Sequence, residues 1–190
     1  GYTDAFISKL NASGMFVWAR SIQGAQDAIG MGITTDVASN VYITGYFNGT
    51  ADFNPGPFTL NITSAGNTDA FVMQLNASGS LVGAHRTGGT GYDYGEAIIA
   101  DGTSRCITAG IFAATVDFDP GVLVSNLTAA GSSDIFITKQ TLSAVGILIP
   151  HETTQIVVSP NPAMDHISIQ ATPEAYYTII DMTGKKIMEG

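Results

Sequence analysis

Short apolar runs, rich in β-branched and aromatic residues and separated by turn-forming residues, recur along most of the chain. Runs of this length and composition are typical of β-strands rather than helices. Tight turns at 11–14 and 36–40 each join two of the runs, which predicts two antiparallel hairpins. The first third of the chain is predicted to contain four clear strands and a fifth, weaker one: Ala5–Leu10, Met15–Ile22, Gly32–Thr35, Val41–Phe47 and Phe58–Thr63.

The whole pattern repeats at an offset of 65 residues without a gap. Between 4–68 and 69–133, 26 of the 65 paired positions are identical, and a third, partial copy begins at Asp134. The signature Asp-Phe-Asn-Pro-Gly at 52–56, for example, returns as Asp-Phe-Asp-Pro-Gly at 117–121. A fixed period of this kind indicates stacked copies of one supersecondary unit, each unable to bury its apolar face alone.

Four short antiparallel strands in each copy are typical of a β-propeller blade. Because a WD40-type blade needs only about 40–45 residues, we assign the surplus to 48–68, as a long loop or an extra hairpin on one face. The predicted fold class is all-β, with propeller-like blades of 65-residue repeats followed by a partial immunoglobulin-like β-sandwich. The predicted organisation is, in order, a repeat region, a linker and a second unit: 1–145 (copies 4–68, 69–133 and 134–145), 146–156 and 157–190.

Matched apolar positions of the copies are predicted to form the core, and matched glycines to allow close approach of neighbouring blades. The predicted core residues are Phe6, Phe71, Phe136, Leu10, Leu75, Val17, Val82, Ile33, Ile98, Phe47 and Phe112, and the glycines are Gly30, Gly95, Gly45 and Gly110. Trp18 pairs with Gly83 in the repeat, so we expect it either to be exposed or to fill a local gap. Cys106 takes the place of Val41 and is expected to be a buried small hydrophobe.

Composition narrows the function classes. Charged residues make up 12% of the chain and the formal net charge is −9, which argues against a nucleic-acid-binding protein because phosphate contacts need clustered Lys and Arg. No apolar stretch is long enough for a membrane span. A single cysteine excludes an intramolecular disulfide framework.

The repeat also carries a family resemblance. Asp-Ala-Phe-Ile-Ser-Lys-Leu-Asn-Ala-Ser-Gly at 4–14, Trp-Ala at 18–19, Asp36 and Asn-Val-Tyr-Ile-Thr-Gly at 40–45 resemble a bacterial β-propeller repeat family named for a seven-bladed propeller. The resemblance covers about 1–140 and implies a propeller. Since two and a fraction copies cannot close a ring, further copies upstream are expected, in a chain that we interpret as an internal or processed fragment.

The tail has a different pattern. Ser-Pro-Asn-Pro at 159–162, Asp165, Ile-Ser-Ile at 167–169 and Ile-Ile-Asp-Met-Thr-Gly-Lys-Lys at 179–186 resemble the C-terminal sorting domain of proteins exported by the type IX secretion system of Bacteroidota. That domain is a small immunoglobulin-like sandwich ending in a Gly-x-Tyr strand beyond the pattern present here, so a truncated domain is expected. The resemblance implies a secreted or outer-cell-surface protein, with the type IX secretion machinery as its partner. The residues expected to carry the sorting signal are Pro160, Asn161, Pro162, Asp181, Gly184, Lys185 and Lys186.

The two Asp-x-Asn/Asp-Pro-Gly segments offer the candidate ligand-binding chemistry. Asp52 with Asn54, and Asp117 with Asp119, place two oxygen-bearing side chains two residues apart before a Pro-Gly turn. Calcium prefers carboxylate, amide and carbonyl oxygens from such tight loops. The alternative is a turn capped by its own aspartate. A calcium site is therefore one interpretation and a self-capped turn the other, and no other cofactor is predicted.

No catalytic constellation emerges from the remaining residues. His85, His151 and His166 show no metal-ligand spacing, and no nucleophile elbow or phosphate loop is present. The favoured hypothesis is a non-enzymatic surface or secreted module that binds a glycan or a protein, with adhesion as one role. The alternatives are an accessory module of a larger secreted enzyme and a propeller hydrolase whose site is formed by loops of other blades.

Overall fold

The computed structural model describes residues 2–102, 104–119 and 123–142, together with the backbone of four short strands between 157 and 189. The described residues form strands and turns and no helix, so none of them belongs to a helix that could cross a membrane. The strands of the first unit are β1 (Ala5–Leu10), β2 (Phe16–Gly24), β3 (Ala28–Thr35), β4 (Val41–Phe47), β5 (Thr50–Asp52), β6 (Asn61–Thr63), β7 (Asp69–Leu75), β8 (Leu81–Thr87), β9 (Tyr94–Ala100), β10 (Arg105–Phe112), β11 (Thr115–Asp117), β12 (Asn126–Thr128) and β13 (Asp134–Thr141).

Each blade combines strands from two successive copies of the repeat. β3, β4, β7 and β8 form a four-stranded antiparallel sheet, in which β4 pairs with β7 from Val41↔Leu75 to Phe47↔Asp69. The equivalent strands β9, β10 and β13 form the next sheet, while β1 and β2 take the places of β7 and β8 in a preceding one. The all-β fold with propeller-like blades is thus confirmed, with the blades offset by half a repeat from the sequence copies.

The surplus residues of each copy form an additional hairpin, which confirms one of the two predicted alternatives. β5 pairs with β6, and β11 pairs with β12. β5 also pairs with the end of β2 through Gly24↔Ala51, and the equivalent bridge Gly89↔Val116 attaches β11 beyond the end of β8. Each insertion hairpin therefore reaches back to the edge strand of the preceding blade.

A phenylalanine anchors each insertion loop in the core. The rings of Phe53 and Phe47 lie 5.1 Å apart in an edge-to-face arrangement, and Phe53 is equally close to Phe71. In the next copy Phe118 stands 5.1 Å from Phe112 and 5.5 Å from Phe136. Edge-to-face pairs of this kind add to the free energy of burial, so the Asp-Phe-x-Pro-Gly segment is held at its second residue.

The predicted core is correct in the second and third blades except at Ile33 on β3, and it is wrong in the first blade. Phe71, Leu75, Phe47, Ile98, Phe112 and Phe136 are buried and Val82 is half-buried, whereas Phe6, Leu10, Val17 and Ile33 are exposed. Ile98 packs with Tyr42 and Val72 of the preceding blade. On the side of Ile33 the preceding blade contributes β1 and β2. No described residue packs on Ile33 as Tyr42 packs on Ile98.

The matched glycines allow close approach in two different ways. Gly95 lies against Thr44 and Gly45 of the preceding blade, as predicted. Gly45, in contrast, approaches the carbonyl of Ile29 on its own neighbouring strand β3, at a bulge between Gly30 and Gly32. The equivalent Gly110 approaches Tyr94 within its sheet, so the prediction of close approach between blades is wrong for Gly45 and Gly110. Gly30 faces Ala5 of the preceding blade, but only at ordinary contact distance.

Trp18 fills a gap between the first two blades. It is 6% exposed, its Nε1 donates a hydrogen bond to the Ala77 carbonyl at 3.1 Å, and its ring lies against Gly79 in the β7–β8 turn. The exposed alternative for Trp18 is therefore wrong and the gap-filling one is confirmed. Cys106 is fully buried, as expected, and burial raises the pKa of its thiol.

Several strand limits differ from the predictions. β3 begins at Ala28, before the predicted start at Gly32. The bulge near Gly30 interrupts the alternation of apolar and polar residues, so the pattern does not reveal the first part of this strand. The strand predicted over Phe58–Thr63 is confined to Asn61–Thr63, and its partner Thr50–Asp52 was not predicted. Both are three-residue strands, too short to give a periodic signal.

The chain divides into two compact units, 1–147 and 148–190. In the second unit the described strands are β14 (Val157–Ser159), β15 (Ser168–Gln170), β16 (Thr178–Ile180) and β17 (Lys186–Glu189). They form two antiparallel pairs, β14 with β15 and β16 with β17. The immunoglobulin-like sandwich stays a prediction, and the linker 146–156 lies outside the described residues.

Candidate functional site

The aspartates that begin the two Asp-x-Asn/Asp-Pro-Gly segments make equivalent hydrogen bonds in the two copies. Asp52 Oδ1 accepts hydrogen bonds from the backbone amides of Asn54 at 2.9 Å and Leu60 at 2.8 Å. Asp117 Oδ1 accepts the equivalent pair from Asp119 at 3.0 Å and Ser125 at 2.8 Å. These bonds lower the pKa of Asp117. Each aspartate thereby closes the loop of its insertion hairpin.

In the structure these aspartates cap their own turns. In the first copy Asn54 Oδ1 also accepts a hydrogen bond from the Gly56 amide, at 2.9 Å. Within 2–102, 104–119 and 123–142, no group of three or more acidic, His or Cys side chains is placed to hold a metal. The two-residue spacing is thus explained by the self-capped turn, and the calcium site at Asp52, Asn54, Asp117 and Asp119 stays a prediction.

A polar cleft lies between the two insertion hairpins. Its volume is about 350 Å³, and its walls come from β6, β8 and the loop after β11. We call this the inter-hairpin cleft; it is lined by Ile62, Ala84, His85, Arg86, Gly88, Asp117 and Asp119. Its volume is at the lower end of the range of ligand pockets.

An ion pair fixes the one guanidinium of the inter-hairpin cleft. Arg86 Nη1 stands 2.6 Å from Oδ2 of Asp69, whose side chain is completely buried while that of Arg86 is 39% exposed. Asp69 Oδ2 also accepts a hydrogen bond from the Ala65 amide. A buried carboxylate restrains a partly exposed charged partner. The ion pair with Asp69 therefore fixes the orientation of the Arg86 guanidinium.

Two further ionisable groups flank this pair. Burial lowers the pKa of His85, which favours its neutral form. Asp93 is fully buried and accepts hydrogen bonds from the Gly89 and Ala113 amides at 2.8 and 2.9 Å. Burial raises its pKa, and the charge of Asp69 adds to that shift. Asp93 therefore holds the segment between β8 and β9 in place.

Two smaller or more apolar clefts flank the first insertion loop. One, of about 100 Å³, is lined by Ser21, Gln23, Asp52 and 54–56. These positions lie 65 residues before Arg86, Gly88 and the second loop, so it is the equivalent of the inter-hairpin cleft with one hairpin only; we call it the half cleft. The other, of about 330 Å³, lies between Asn54–Phe58 and the β7–β8 turn, with Arg20 at its side.

The sequence located the loops but not the walls around them. Asp52, Asn54, Asp117 and Asp119 all line clefts, whereas Arg86, Asp69 and Phe53 were not singled out. Their repeat positions gave a partial signal, because Asp69 belongs to the recurring Asp-Ala-Phe and Phe53 to Asp-Phe-x-Pro-Gly. His151 and His166, and the sorting-signal residues Pro160, Asn161, Pro162, Asp181, Gly184 and Lys185, lie outside the described residues, while Lys186 begins β17.

Comparison with known proteins agrees with the repeat architecture. The chain is similar to an uncharacterized WD repeat-containing protein of Acanthamoeba polyphaga mimivirus, with 26% identity over 117 residues. The match covers 59% of this chain but only 8% of the relative. No protein-family model matches the chain. The similarity supports a β-propeller-like repeat.

Proposed function

We propose that this chain is part of a non-enzymatic binding module that is secreted or displayed at the outer cell surface. The repeat units act as a scaffold, and the insertion hairpins supply the ligand-binding surface. The single observation that supports this most is the inter-hairpin cleft, where two successive copies place a guanidinium and two carboxylates around about 350 Å³. Loops on a rigid β-scaffold are where binding residues concentrate.

Binding can be tested with the full chain immobilised and exposed to a glycan array and to purified cell-surface and matrix proteins. We expect saturable binding that weakens when cleft residues are changed, for example in Asp119→Asn. Asn occupies the equivalent position 54 of the first copy, so this variant is expected to fold normally. Chemical turnover of a bound glycan or protein would contradict the non-enzymatic assignment, and absence of any saturable binding would contradict the module.

We propose further that the tail directs export by the type IX secretion machinery. The support is the resemblance of 157–190 to sorting domains, including Pro160, Asn161, Pro162 and Gly184. In a Bacteroidota host that expresses the intact gene, deletion of the segment encoding 157–190 should leave the product inside the cell. Unchanged surface display of the deletion product would remove this assignment, and the same deletion should leave ligand binding by the repeat unit intact.

The alternative is an accessory repeat module of a larger secreted enzyme. The chain matches only 8% of its much longer relative, which shows that repeats of this kind also occur within large proteins. In that case the catalytic activity of the intact gene product should survive deletion of 4–145, with weakened attachment to its substrate. If the intact product has no catalytic activity, and the deletion of 4–145 abolishes its surface attachment, the binding module would be favoured instead.

A further inference from the structure

The inter-hairpin cleft has a mixture of hydrogen-bonding groups that selects one class of ligand. We infer that it binds a neutral polyhydroxylated compound, namely a sugar residue of a glycan. This inference rests on the proposed binding function and assigns it a site and a ligand class.

Donors and acceptors face the same space from different elements. Arg86 on β8 has only N–H donors, whereas Asp117 and Asp119 in the opposite loop are acceptors when ionised. Asp117 remains ionised in neutral solution because its hydrogen bonds with the Ser125 and Asp119 amides lower its pKa. An anion would meet both carboxylates and a cation would meet the guanidinium. A hydroxyl group both donates and accepts, so neighbouring sugar hydroxyls suit both sides of the cleft.

A glycine at the wall of the cleft makes room for the buried carboxyl group that holds Arg86. Asp69 has a fully buried side chain, and its Oδ1 has no hydrogen-bond partner among the described residues. This oxygen lies behind Gly88, where a Cβ atom would stand only 2.7 Å from it. Gly88 therefore packs directly against the Asp69 carboxyl group, and a side chain at this position would displace the carboxylate that pairs with Arg86.

The cleft combines this polar side with a small apolar one. Ile62 and Ala84 line the same space, and both belong to or pack against the core shared by the first two blades. Sugar rings carry C–H groups on one face and hydroxyls around the rim, so an apolar wall beside fixed polar groups fits them. Ile62 comes from the first insertion hairpin, whereas Ala84 and the carboxylates come from the next copy, so two successive copies are needed for the site.

The half cleft provides an internal control for the assignment. At the positions of Arg86, Gly88 and Asp119 it has Ser21, Gln23 and Asn54. It has the same backbone scaffold but lacks the guanidinium, the glycine and the preceding hairpin. We therefore expect sugar binding at the inter-hairpin cleft and none at the half cleft.

The experiment titrates the full chain with methyl glycosides of glucose, galactose, mannose and N-acetylglucosamine at millimolar concentrations. NMR signals of the Arg86 Nε–H, the Ala84 methyl group and the Ile62 methyl groups report on the cleft. We expect saturable shifts of these signals with at least one glycoside. Because a hydrogen bond to a charged group contributes about 1.5–3 kcal/mol, Asp119→Asn should weaken that binding about tenfold or more.

Asn54→Asp is the matched control, since it places the same charge at the equivalent loop position of the half cleft and should leave the affinity unchanged. Thermal denaturation of both variants checks that they fold. The assignment is overturned if no glycoside shifts the three signals, if Asn54→Asp rather than Asp119→Asn weakens binding, or if calcium chloride or sodium sulfate alone produces the shifts. If macromolecular binding persists while the glycosides fail, only this inference falls; if neither is seen, the proposed function falls with it.

Discussion

At the scale of single residues, equivalent positions of the repeat can have different partners. Asp36 accepts hydrogen bonds from the Ala38 and Asn40 amides and from the Tyr42 hydroxyl, closing the β3–β4 turn. Burial raises its pKa, but these bonds and that of the Asn40 side chain outweigh it and lower the pKa overall. Its equivalent Asp101 pairs instead with Lys139, at 2.5 Å. The sequence predicted the turn at Asp36. The pairing of Asp101 with Lys139 across the sheet depends on strand register and could not be predicted.

A pair of matched positions allows a direct test of backbone strain. Gly49 and Ala114 are equivalent in the repeat and both have positive φ, 65° and 57°. Since a left-handed conformation costs a non-glycine residue about 1–2 kcal/mol, Ala114→Gly should raise the free energy of unfolding by up to about 1 kcal/mol after the entropy of the glycine is subtracted. Urea denaturation measures this, and a destabilised Ala114→Gly variant would contradict it.

Gly49→Ala is the reciprocal change and should destabilise the chain by about 1–2 kcal/mol. Besides the strained φ, its added Cβ atom would stand 3.0 Å from the side chain of Gln26. Equal stability of Gly49→Ala and the parent chain would mean that this turn relaxes to another conformation.

Asp93 gives the chain a pH dependence of unusual sign. Because burial raises its pKa, the folded chain holds the proton more tightly than the unfolded one. Its contribution to stability therefore declines as the pH rises from the unfolded aspartate value, about 3.9, through the raised folded value. Asp93→Asn replaces one of the two oxygens that accept hydrogen bonds from backbone amides, so the variant should be less stable than the parent chain in acid. This difference in the free energy of unfolding should shrink towards neutral pH.

Asp117→Asn provides the opposite control, because the pKa of Asp117 is lowered in the folded chain. The stability that its charge contributes is present above the unfolded value and is lost as the pH falls through the folded one. The deficit of Asp117→Asn should consequently grow towards neutral pH. Urea denaturation across this range measures both, and parallel pH profiles of the two variants would contradict the assignment.

At the scale of elements, strand positions could be predicted better than strand burial. The hairpins and the 65-residue period give most of β1, β2 and β4, and they place an extra hairpin within 48–68. Burial is not a property of the strand alone. Phe71 is fully buried and its equivalent Phe6 is 77% exposed, although the two occupy the same strand position. The difference is the preceding copy of the repeat: it supplies Phe47 and Phe53 to cover Phe71, and no described residue takes those places beside Phe6.

The attachment of the insertion hairpins predicts different sensitivities for two equivalent glycines. A Cβ atom on Gly89 would overlap the Thr115 carbonyl oxygen, whereas one on Gly24 would stand 3.2 Å from Ala51 Cβ and the Gln26 carbonyl. Gly89→Ala should therefore push β11 away from the second blade and cost about 1–3 kcal/mol, with Gly24→Ala costing less. Hydrogen exchange of the Val116 amide should accelerate in Gly89→Ala alone, and equal effects of the two substitutions would contradict this account.

At the scale of the whole molecule, the half-repeat offset makes each blade depend on its neighbours. β7 and β8 complete the sheet begun by β3 and β4, while Phe53 and Trp18 tie the connecting segments to adjacent blades. The cleft between the insertion hairpins likewise needs two copies. Stability and binding are thus both properties of neighbouring pairs, as in other repeat proteins.

This dependence can be tested by adding one repeat. Fusing an extra copy of 4–68 directly before Asp4 keeps the period and places a second Tyr42 over Ile33, as the original covers Ile98. In the present chain Ile98→Ala should cost about 2–4 kcal/mol, as buried truncations do, and Ile33→Ala, at a 60% exposed residue, within about 0.5 kcal/mol. In the extended chain the same Ile33→Ala change should become comparably costly, while Val37→Ala, at a 97% exposed residue, stays neutral in both. An Ile33→Ala cost that does not change on extension would mean that added copies do not stack as the second and third blades do.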